Sequence, residues 1–484
     1  MKAFFHNEKL LFTTGFIAFL ITVALSFYFQ FQLLIFIPSI LLVGFFFIRD
    51  IRSAFFLLIF SLPFSINLSE LTKLNLDFPD EPLMLLLTLF FVFFVLFNRK
   101  SIDFKSILKN PLVIIILLAF CWTLVSVLHS EKSLLSIKYI LKKVWFLIPF
   151  FFFPILLFND EKSIKKSFQL LLTTLFIIVA IVVVRFSAVG FRFEKVHDPL
   201  QPFFQNHVMY GSMVSCAIPI TFGAFLLSRK LSLQWIFALL SIVLFLFAVY
   251  FSYSRAAWMG VLFAGATFVM IRLRIMHYAF LLFYILVFTA VMWMSNHNKF
   301  LDFKPKFEKT IMHESLEDHI MATIQGTDIS SAERYYRWIA AIRMSNDRPI
   351  TGVGPNNFYD YYKSYTVSSF KTWVSRNPER STTHNYFLFM LVEQGYPAMI
   401  LYALLIFMIF YYGQKVYAKC KGRFDKIVVM SSLCMIAALF VNNFFSELLE
   451  TDKIGSLFYL GIAAIIATDL RQANQLKIYP DQGI

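Results

Sequence analysis

The amino-acid sequence predicts an all-α polytopic membrane protein with about 12–14 transmembrane helices and one long loop domain outside the membrane. Of its 484 residues, 59% are hydrophobic and only 15% are charged, whereas an ordinary soluble domain has about 45–50% apolar and about 25% charged residues. Apolar runs of about 20 residues, the length that crosses a bilayer as a helix, recur along almost the whole chain. This balance excludes a disordered chain, a fibrous repeat and a soluble enzyme.

The apolar runs define a series of candidate membrane spans. In chain order they are 10–28, 31–48, 52–66, 82–97, 111–128, 139–158, 168–189, 207–227, 233–250, 256–271, 276–294, 386–411, 427–442 and 454–469. The stretch 52–66 is short and contains Pro63, and only Phe29 and Gln30 separate the first two stretches. Because a failed hairpin removes spans in pairs, the expected number is about twelve to fourteen.

The basic residues predict how these spans are oriented. Clusters of Lys and Arg occupy alternate connections without a break in the alternation: Arg49/Arg52, Arg99–Lys109, Lys162–Lys166, Arg229/Lys230, Arg272/Arg274 and Lys415–Lys426. By the positive-inside rule, these connections and both termini are cytoplasmic.

The domain organisation follows from the same pattern. Transmembrane helices 1–11 occupy 1–294, a loop domain outside the cytoplasm occupies 295–383, the C-terminal transmembrane helices occupy 384–470, and 471–484 form a cytoplasmic tail. Within the loop, 332–344 is an amphipathic helical stretch, followed by turn signals at Asp347–Pro349 and Gly352–Pro355. Long loops cross the membrane largely regardless of their charge, so basic residues in this loop do not conflict with the orientation.

Five basic residues lie at the outer ends of spans: Lys142, Lys143, Arg185, Arg192 and Arg255. We interpret Lys142 and Lys143 as snorkelling to the outer headgroups, which long basic side chains do readily. Arg255 instead ends the polar turn Ser252-Tyr253-Ser254-Arg255. A planar guanidinium suits bidentate binding of phosphate oxygens, whereas a lysine acts as a point charge. Arg192 and Arg255 together would therefore suit a diphosphate.

His384 stands where the long loop re-enters the membrane, in Thr382-Thr383-His384-Asn385-Tyr386. An unperturbed imidazole titrates at about pH 6.5, which suits a general acid or base. A purely structural histidine is the alternative, and position alone does not separate the two.

Asp77, Asp80 and Glu81 form a carboxylate cluster in the outer connection before the span 82–97. Such a cluster is able to hold a metal ion or to supply a base. The favoured interpretation is a solvated loop that caps the helix beginning at Pro82.

A series of short motifs follows in order along the second half of the chain. They are Gly190–Asn206 with Arg192 and then His207–Tyr210; Phe251–Trp258 with its S-x-S-R segment; Arg334-x-x-x-Trp338; Asp347–Gly354; Asn357-Phe358; and His384-Asn385-Tyr386 with Glu393 and Gly395. In this order and placement they resemble the O-antigen ligase and O-antigen polymerase superfamily of bacterial envelope glycan assembly. The resemblance covers 185–410 of the chain.

The resemblance implies a glycosyltransferase that takes glycan from an undecaprenyl-diphosphate carrier, with no cofactor, metal ion or nucleotide in the site. It implies that Arg192 and Arg255 bind the carrier diphosphate and that His384 activates the acceptor hydroxyl. Arg185 is the alternative to Arg192, because His197-Asp198-Pro199 and a longer insert set this turn apart from the family's. Arg334, Arg337 and Asn385 are further candidates for substrate binding.

The resulting hypothesis is a multi-pass enzyme of the bacterial inner membrane whose loop domain and active site face the periplasm. Its partners would be the carrier-linked glycan, membrane lipid, and either the lipid A core or a glycan acceptor, with no nucleic acid. We favour a ligase that uses the lipid A core over an O-antigen or exopolysaccharide polymerase, although the residues do not separate them. A lipid-linked-sugar flippase or transporter is the alternative of another class, and it would place ionisable groups near the bilayer midplane.

Overall fold

The computed structural model describes residues 51–68, 76–100, 102–297, 329–372, 375–377 and 381–478, together with Ile21 and Lys299. The predicted spans 10–28 and 31–48 lie outside the described residues, apart from Ile21.

Within these ranges the chain is almost entirely helical. The helices are α1 (Ile51–Ser61), α2 (Asp80–Asn98), α3 (Phe104–Leu108), α4 (Pro111–Leu128), α5 (Ser133–Leu147), α6 (Phe153–Leu157), α7 (Glu161–Ala188), α8 (His207–Leu227), α9 (Leu233–Phe251), α10 (Arg255–Arg272), α11 (Met276–Ser295), α12 (Ile329–Asp347), α13 (Phe358–Tyr361), α14 (Tyr386–Lys419), α15 (Arg423–Phe444) and α16 (Asp452–Ile478). The strands of the described chain are the antiparallel pair β1 (Ile66–Asn67) and β2 (Asp77–Phe78). A π-helical turn, Ile148–Phe152, joins α5 to α6.

Eleven helices of the described chain are long and apolar enough to cross a membrane, and Ile51–Phe64 forms a shorter apolar helix. The shorter helix coincides with the predicted span 52–66, and the eleven long helices coincide with the predicted spans that follow it. The prediction of an all-α polytopic membrane protein is therefore confirmed. Several helices extend beyond the apolar stretch that predicted them. For example, α7 begins at Glu161 rather than 168, because the Asp160 carboxylate accepts a hydrogen bond from the Ser163 amide, 2.7 Å away, and caps the helix.

The centre of the bundle is formed by α15 and α16. In their spans 78% and 89% of the residues are buried, against 11% in α11, which lies at the periphery. Small residues allow close packing here: a Cβ added to Gly260 of α10 would meet the Asn442 side chain of α15. The Ser212 hydroxyl of α8 donates a hydrogen bond to Asn442 Oδ1 at 2.6 Å, so α8 also contacts α15 at Asn442.

The loop domain has a small hydrophobic core of its own. The predicted helix at 332–344 is present as α12, whose Tyr336, Ala340 and Met344 pack with Phe358 and with Val392 of α14. A break in α14 receives the preceding loop: Val353 N donates to Val392 O at 3.0 Å, and Gly354 N donates to Glu393 O at 2.9 Å. The loop domain is therefore docked directly onto a membrane-spanning helix.

Candidate functional site

His384 lies immediately before α14, with its backbone in the left-handed region at φ 52°. Its Nδ1 is 3.6 Å from Oε2 of Glu447, a residue of the connection between α15 and α16. The His384 and Glu447 side chains are 34% and 20% exposed, so the pair lies at the edge of the bundle rather than in its core. A carboxylate beside Nδ1 orients the ring and leaves Nε2 available as a proton acceptor.

The Glu447 carboxylate is held in its ionised form. Burial alone would raise the pKa of Glu447, but His384, Thr382 and Arg337 together hold this pKa below its ordinary value. Glu447 is therefore an anion throughout the neutral range.

Helix α12 holds the backbone that carries His384. Arg337 Nη1 donates to Thr382 O at 3.3 Å, and Trp338 Nε1 donates to Thr383 O at 2.8 Å. Arg337 is itself buried and pairs with Glu333, at 3.4 Å from Nη2 to Oε2. The structure thus places Arg337 behind His384, where it positions the segment.

Two further residues predicted as substrate-binding lie beside this segment. The Arg334 guanidinium lies over the ring of Phe445, with its Cζ 5.9 Å from the ring centroid, two residues before Glu447. Asn385 caps α14, accepting from Leu388 N at 3.1 Å, and its Nδ2 donates to Phe444 O at 3.0 Å. Asn385 therefore joins the start of α14 to the end of α15, and its amide is engaged by the protein.

Arg192 and Arg255 are carried by two turns that contact each other. The Tyr253 hydroxyl donates to Phe191 O at 2.6 Å, and the rings of Tyr253 and Phe193 lie 5.3 Å apart. Arg192 follows Phe191 directly and is exposed, and Arg255 begins α10 two residues after Tyr253. The structure therefore brings these two predicted residues to neighbouring turns.

Arg185, the alternative to Arg192, is held by the insert that follows. Its Nη1 donates to Gln201 O at 2.6 Å, and its Cζ lies 5.9 Å from the ring of Phe203.

The turn of Arg255 and the His384–Glu447 pair lie at the same end of the bundle. Gly260 of α10 contacts Asn442 of α15. Five residues separate Gly260 from Arg255, which is about 7.5 Å of helix. Phe263, which follows Gly260, packs against Phe440, which precedes Asn442, so α10 and α15 run antiparallel. Moving back from Gly260 to Arg255 therefore leads in the same direction as moving forward by five residues from Asn442 to Glu447.

Residues 240–403 match the model of a protein family described as O-antigen ligase. This match, which covers about a third of the chain, supports the O-antigen ligase superfamily. This confirms the resemblance drawn from the motifs. The superfamily covers O-antigen ligases and polymerases and implies a glycosyltransferase-like enzyme that uses a lipid-linked glycan and an acceptor. No curated protein matches the chain at a significant level.

The segment matched to the O-antigen ligase family runs from within α9 into α14. It contains Arg255, Arg334 and His384, whereas Arg192 and Glu447 lie outside it. The candidate site therefore combines residues of the matched segment with residues from outside it.

Sequence reasoning missed the connection 447–453, which follows α15. It carries Glu447, Glu450, Asp452 and Lys453. The sequence did contain a signal for this connection: four of its seven residues are charged, and it lies between two apolar spans on the side predicted to face outward.

The interpretation of Lys142 and Lys143 as snorkelling side chains is wrong. Lys143 Nζ lies 2.7 Å from Oε1 of Glu450, and Lys142 Nζ lies 3.2 Å from Oδ1 of Asp452. Both lysines turn inward because carboxylates of the connection 447–453 are within reach. The Tyr386 hydroxyl donates to the same Glu450 oxygen at 2.6 Å, so this ion pair also contacts the start of α14.

The interpretation of Asp77, Asp80 and Glu81 as a solvated cap is also wrong. Asp80 is fully buried, and its Oδ1 accepts hydrogen bonds from the Ser65 hydroxyl and from Glu81 N. The helix begins at Asp80, and its N-cap position, Pro79, supplies no side-chain hydrogen bond. Oxygens of Asp77, Glu81 and Asp452 lie within 4.8 Å of one another, close enough to share a metal ion.

Proposed function

We propose that this protein is a membrane glycosyltransferase that moves glycan from an undecaprenyl-diphosphate carrier to an acceptor, and specifically an O-antigen ligase whose acceptor is the lipid A core. The observation that carries the proposal is the His384–Glu447 pair at the same end of the bundle as Arg255, in a chain with an O-antigen ligase domain.

In this proposal His384 is the general base. Glu447 holds the Nδ1 side of the imidazole, and Nε2 removes the proton from the acceptor hydroxyl as its oxygen bonds to the anomeric carbon. A sugar hydroxyl is a poor nucleophile at neutral pH, so a positioned base contributes about 10²–10⁴-fold to the rate.

The arginines stabilise the leaving group. Cleavage of the anomeric C–O bond places negative charge on the lipid diphosphate, and fixed guanidinium groups are suited to stabilise it. Arg192 and Arg255 fit this role because their turns are joined through Tyr253 and Phe191. Arg334 is near enough to the Glu447 connection to contact the same substrate, since it lies over Phe445.

The position of these groups favours an enzyme over a flippase. His384 precedes α14, Arg255 begins α10, and Glu447 follows α15, so each lies at a helix end. A transporter site is typically built near the bilayer midplane from interrupted helices.

We further propose that the protein lies in a bacterial inner membrane, with cytoplasmic termini and a periplasmic site. Reporter tags at Met1 and Ile484 should then be cytoplasmic, and a tag within 313–325 should be periplasmic.

The deciding experiment is an envelope glycan profile of a deletion strain. Loss of all glycan on lipid A, with long chains left on the carrier, identifies a ligase. A lipid A core capped with one repeat identifies a polymerase, and an unchanged profile contradicts both. Transfer by the purified protein from carrier-linked glycan to acceptor, and its loss in His384→Ala, would then assign the chemistry to this chain.

A further inference from the structure

Three carboxylates from three separate elements meet at the end of the bundle that holds His384. Asp77 belongs to β2, Glu81 to the first turn of α2, and Asp452 begins α16. One oxygen of each lies within 4.8 Å of the others. Three anions at this separation repel one another strongly, so the arrangement requires a positive charge or a bound proton between them.

Asp452 points to a missing ligand. This residue is 3% exposed, and no backbone amide or hydroxyl group of the described part of the chain donates to its carboxylate oxygens. Lys142 Nζ lies 3.2 Å from Oδ1. Another neighbour of this carboxylate is the carboxyl group of Glu81, itself an acid, so the two groups attract each other only through a shared proton or a cation. A buried, ionised carboxylate in this state is strongly disfavoured unless a cation or proton compensates it.

The lysines nearby do not balance the charge. Asp77, Asp80, Glu81 and Asp452 supply four carboxylates, and the ammonium groups facing them are those of Lys142 and Lys453. Lys453 donates to the carbonyl oxygens of Pro63, Ser65 and Phe203, at 3.1, 2.8 and 2.5 Å, so its three protons are all committed to backbone. Lys143 is already paired with Glu450. With every group ionised, the described residues of the cluster carry two uncompensated negative charges.

We propose that Asp77, Glu81 and Asp452 bind one hard divalent cation, Ca²⁺ or Mg²⁺. Such ions prefer carboxylate oxygens, which Ca²⁺ binds at about 2.3–2.6 Å, so oxygens on opposite sides of it lie about 4.8 Å apart. The three protein oxygens fall within that limit. The set contains no sulfur or imidazole ligand, which disfavours zinc and copper.

The cation would act as a structural brace. It would tie β2 and α2 to the first residue of α16, and thereby fix the connection 447–453 that presents Glu447 to His384. It takes no part in glycan transfer, and its binding does not depend on the proposed function.

The test is a titration of the purified full-length protein in detergent, after chelator treatment, with CaCl₂ and separately with MgCl₂. Isothermal calorimetry should give one site per chain for at least one of the two ions. The midpoint of thermal unfolding should rise with cation concentration, because a ligand that binds only the folded state stabilises it.

Three isosteric variants sharpen the result: Asp77→Asn, Glu81→Gln and Asp452→Asn. Each should weaken binding by at least about tenfold, since affinity at such sites follows the number of charged ligands. Removing one of several repelling anions should also make cation-free Asp77→Asn and Glu81→Gln no less stable than the cation-free wild type. Glu161→Gln is the matched control, because this carboxylate is exposed on α7 and its loss should leave binding unchanged.

The rival explanation is a proton shared between Glu81 and Asp452. In that case the wild type shows neither binding heat nor a shift of the unfolding midpoint at millimolar Ca²⁺ or Mg²⁺, and the proposal is overturned. Binding that persists undiminished in Asp77→Asn and Asp452→Asn would overturn it as well. Loss of transfer in the deletion strain bears on neither result, so this proposal and the proposed function fail separately.

Discussion

The imidazole of His384 faces the carboxylate of Glu447, with 3.6 Å between Nδ1 and Oε2. The two residues come from different connections, one entering α14 and the other leaving α15, and Asn385 joins those connections through its hydrogen bond to Phe444 O. The ring is therefore positioned by both membrane helices and, through Arg337 and Trp338, by the loop domain.

Replacing His384 tests the general base. His384→Ala should transfer glycan about 10²–10⁴-fold more slowly while still binding the carrier-linked donor, because we propose that Arg192 and Arg255 hold the donor's diphosphate. His384→Asn is the informative companion, because asparagine tolerates the left-handed backbone found here, at φ 52°. Turnover of the Asn variant at close to the wild-type rate would show that His384 is structural.

Glu447→Gln should lower the turnover number with little change in the KM for the donor. Glutamine keeps the size of the side chain but removes the charge, so the ring is no longer held in one tautomer and orientation. We expect a loss of at least about tenfold in transfer by purified protein. Glu161→Gln, which changes an exposed carboxylate in the first turn of α7, is the control and should retain activity. A raised KM with unchanged turnover would instead place Glu447 in substrate binding.

Glu447→Gln also tests how the thermal stability of the protein depends on pH. The pKa of Glu447 is lowered in the folded protein, so its contribution is complete above the unfolded pKa, about 4.3, and is lost as pH falls through the folded value. The difference in unfolding midpoint between wild type and Glu447→Gln should thus be present near neutral pH and shrink below about pH 4. Other carboxylates titrate in both proteins and cancel. A difference that persists unchanged to the lowest accessible pH would contradict this account.

The membrane spans could be predicted because their signal is local. A run of apolar residues is sufficient to identify α4 or α9, and the structure has both at the predicted positions. The extensions of the helices were missed because a capped, amphipathic first turn such as that of α7 contributes no hydropathy.

The charged partners could not be predicted, because they are distant in the chain. Lys143 meets Glu450 and Lys142 meets Asp452 only when α5 packs beside the end of α15 and the start of α16. Before folding, nothing distinguishes these lysines from side chains that reach for headgroups. Glu447 was missed for the same reason, whereas His384 stood out because its motif is local.

The arginines differ in their expected effects. Arg255→Lys should lose most of the transfer activity although the charge is retained, because bidentate binding of a diphosphate needs the guanidinium fork. Arg192→Lys should behave in the same way, and Arg185→Lys should remain close to wild type, since Arg185 donates to Gln201 O rather than joining the turn of Arg255. Measuring KM for the donor in all three variants decides which arginine pairs with Arg255. Activity lost in Arg185→Lys and kept in Arg192→Lys would reverse the assignment.

Docking of the loop domain onto α14 depends on two glycines. Gly352 and Gly395 both have positive φ, 65° and 79°, and a Cβ on either would clash with backbone, that of Glu393 for Gly352 and that of Ile350 for Gly395. Alanine at either position should therefore destabilise the docked loop by at least about 1–3 kcal/mol from backbone strain alone.

Because the docked loop holds the backbone before His384, both variants should also reduce transfer, and thermal unfolding and limited proteolysis of the loop should report the undocking directly. Gly265→Ala is the matched control: Gly265 lies within α10, and a Cβ there meets nothing within 4 Å. This change should be neutral or stabilise the helix by up to about 1 kcal/mol. If Gly352→Ala and Gly395→Ala unfold at the same temperature as Gly265→Ala, the contact between the loop and α14 does not determine the stability of the site.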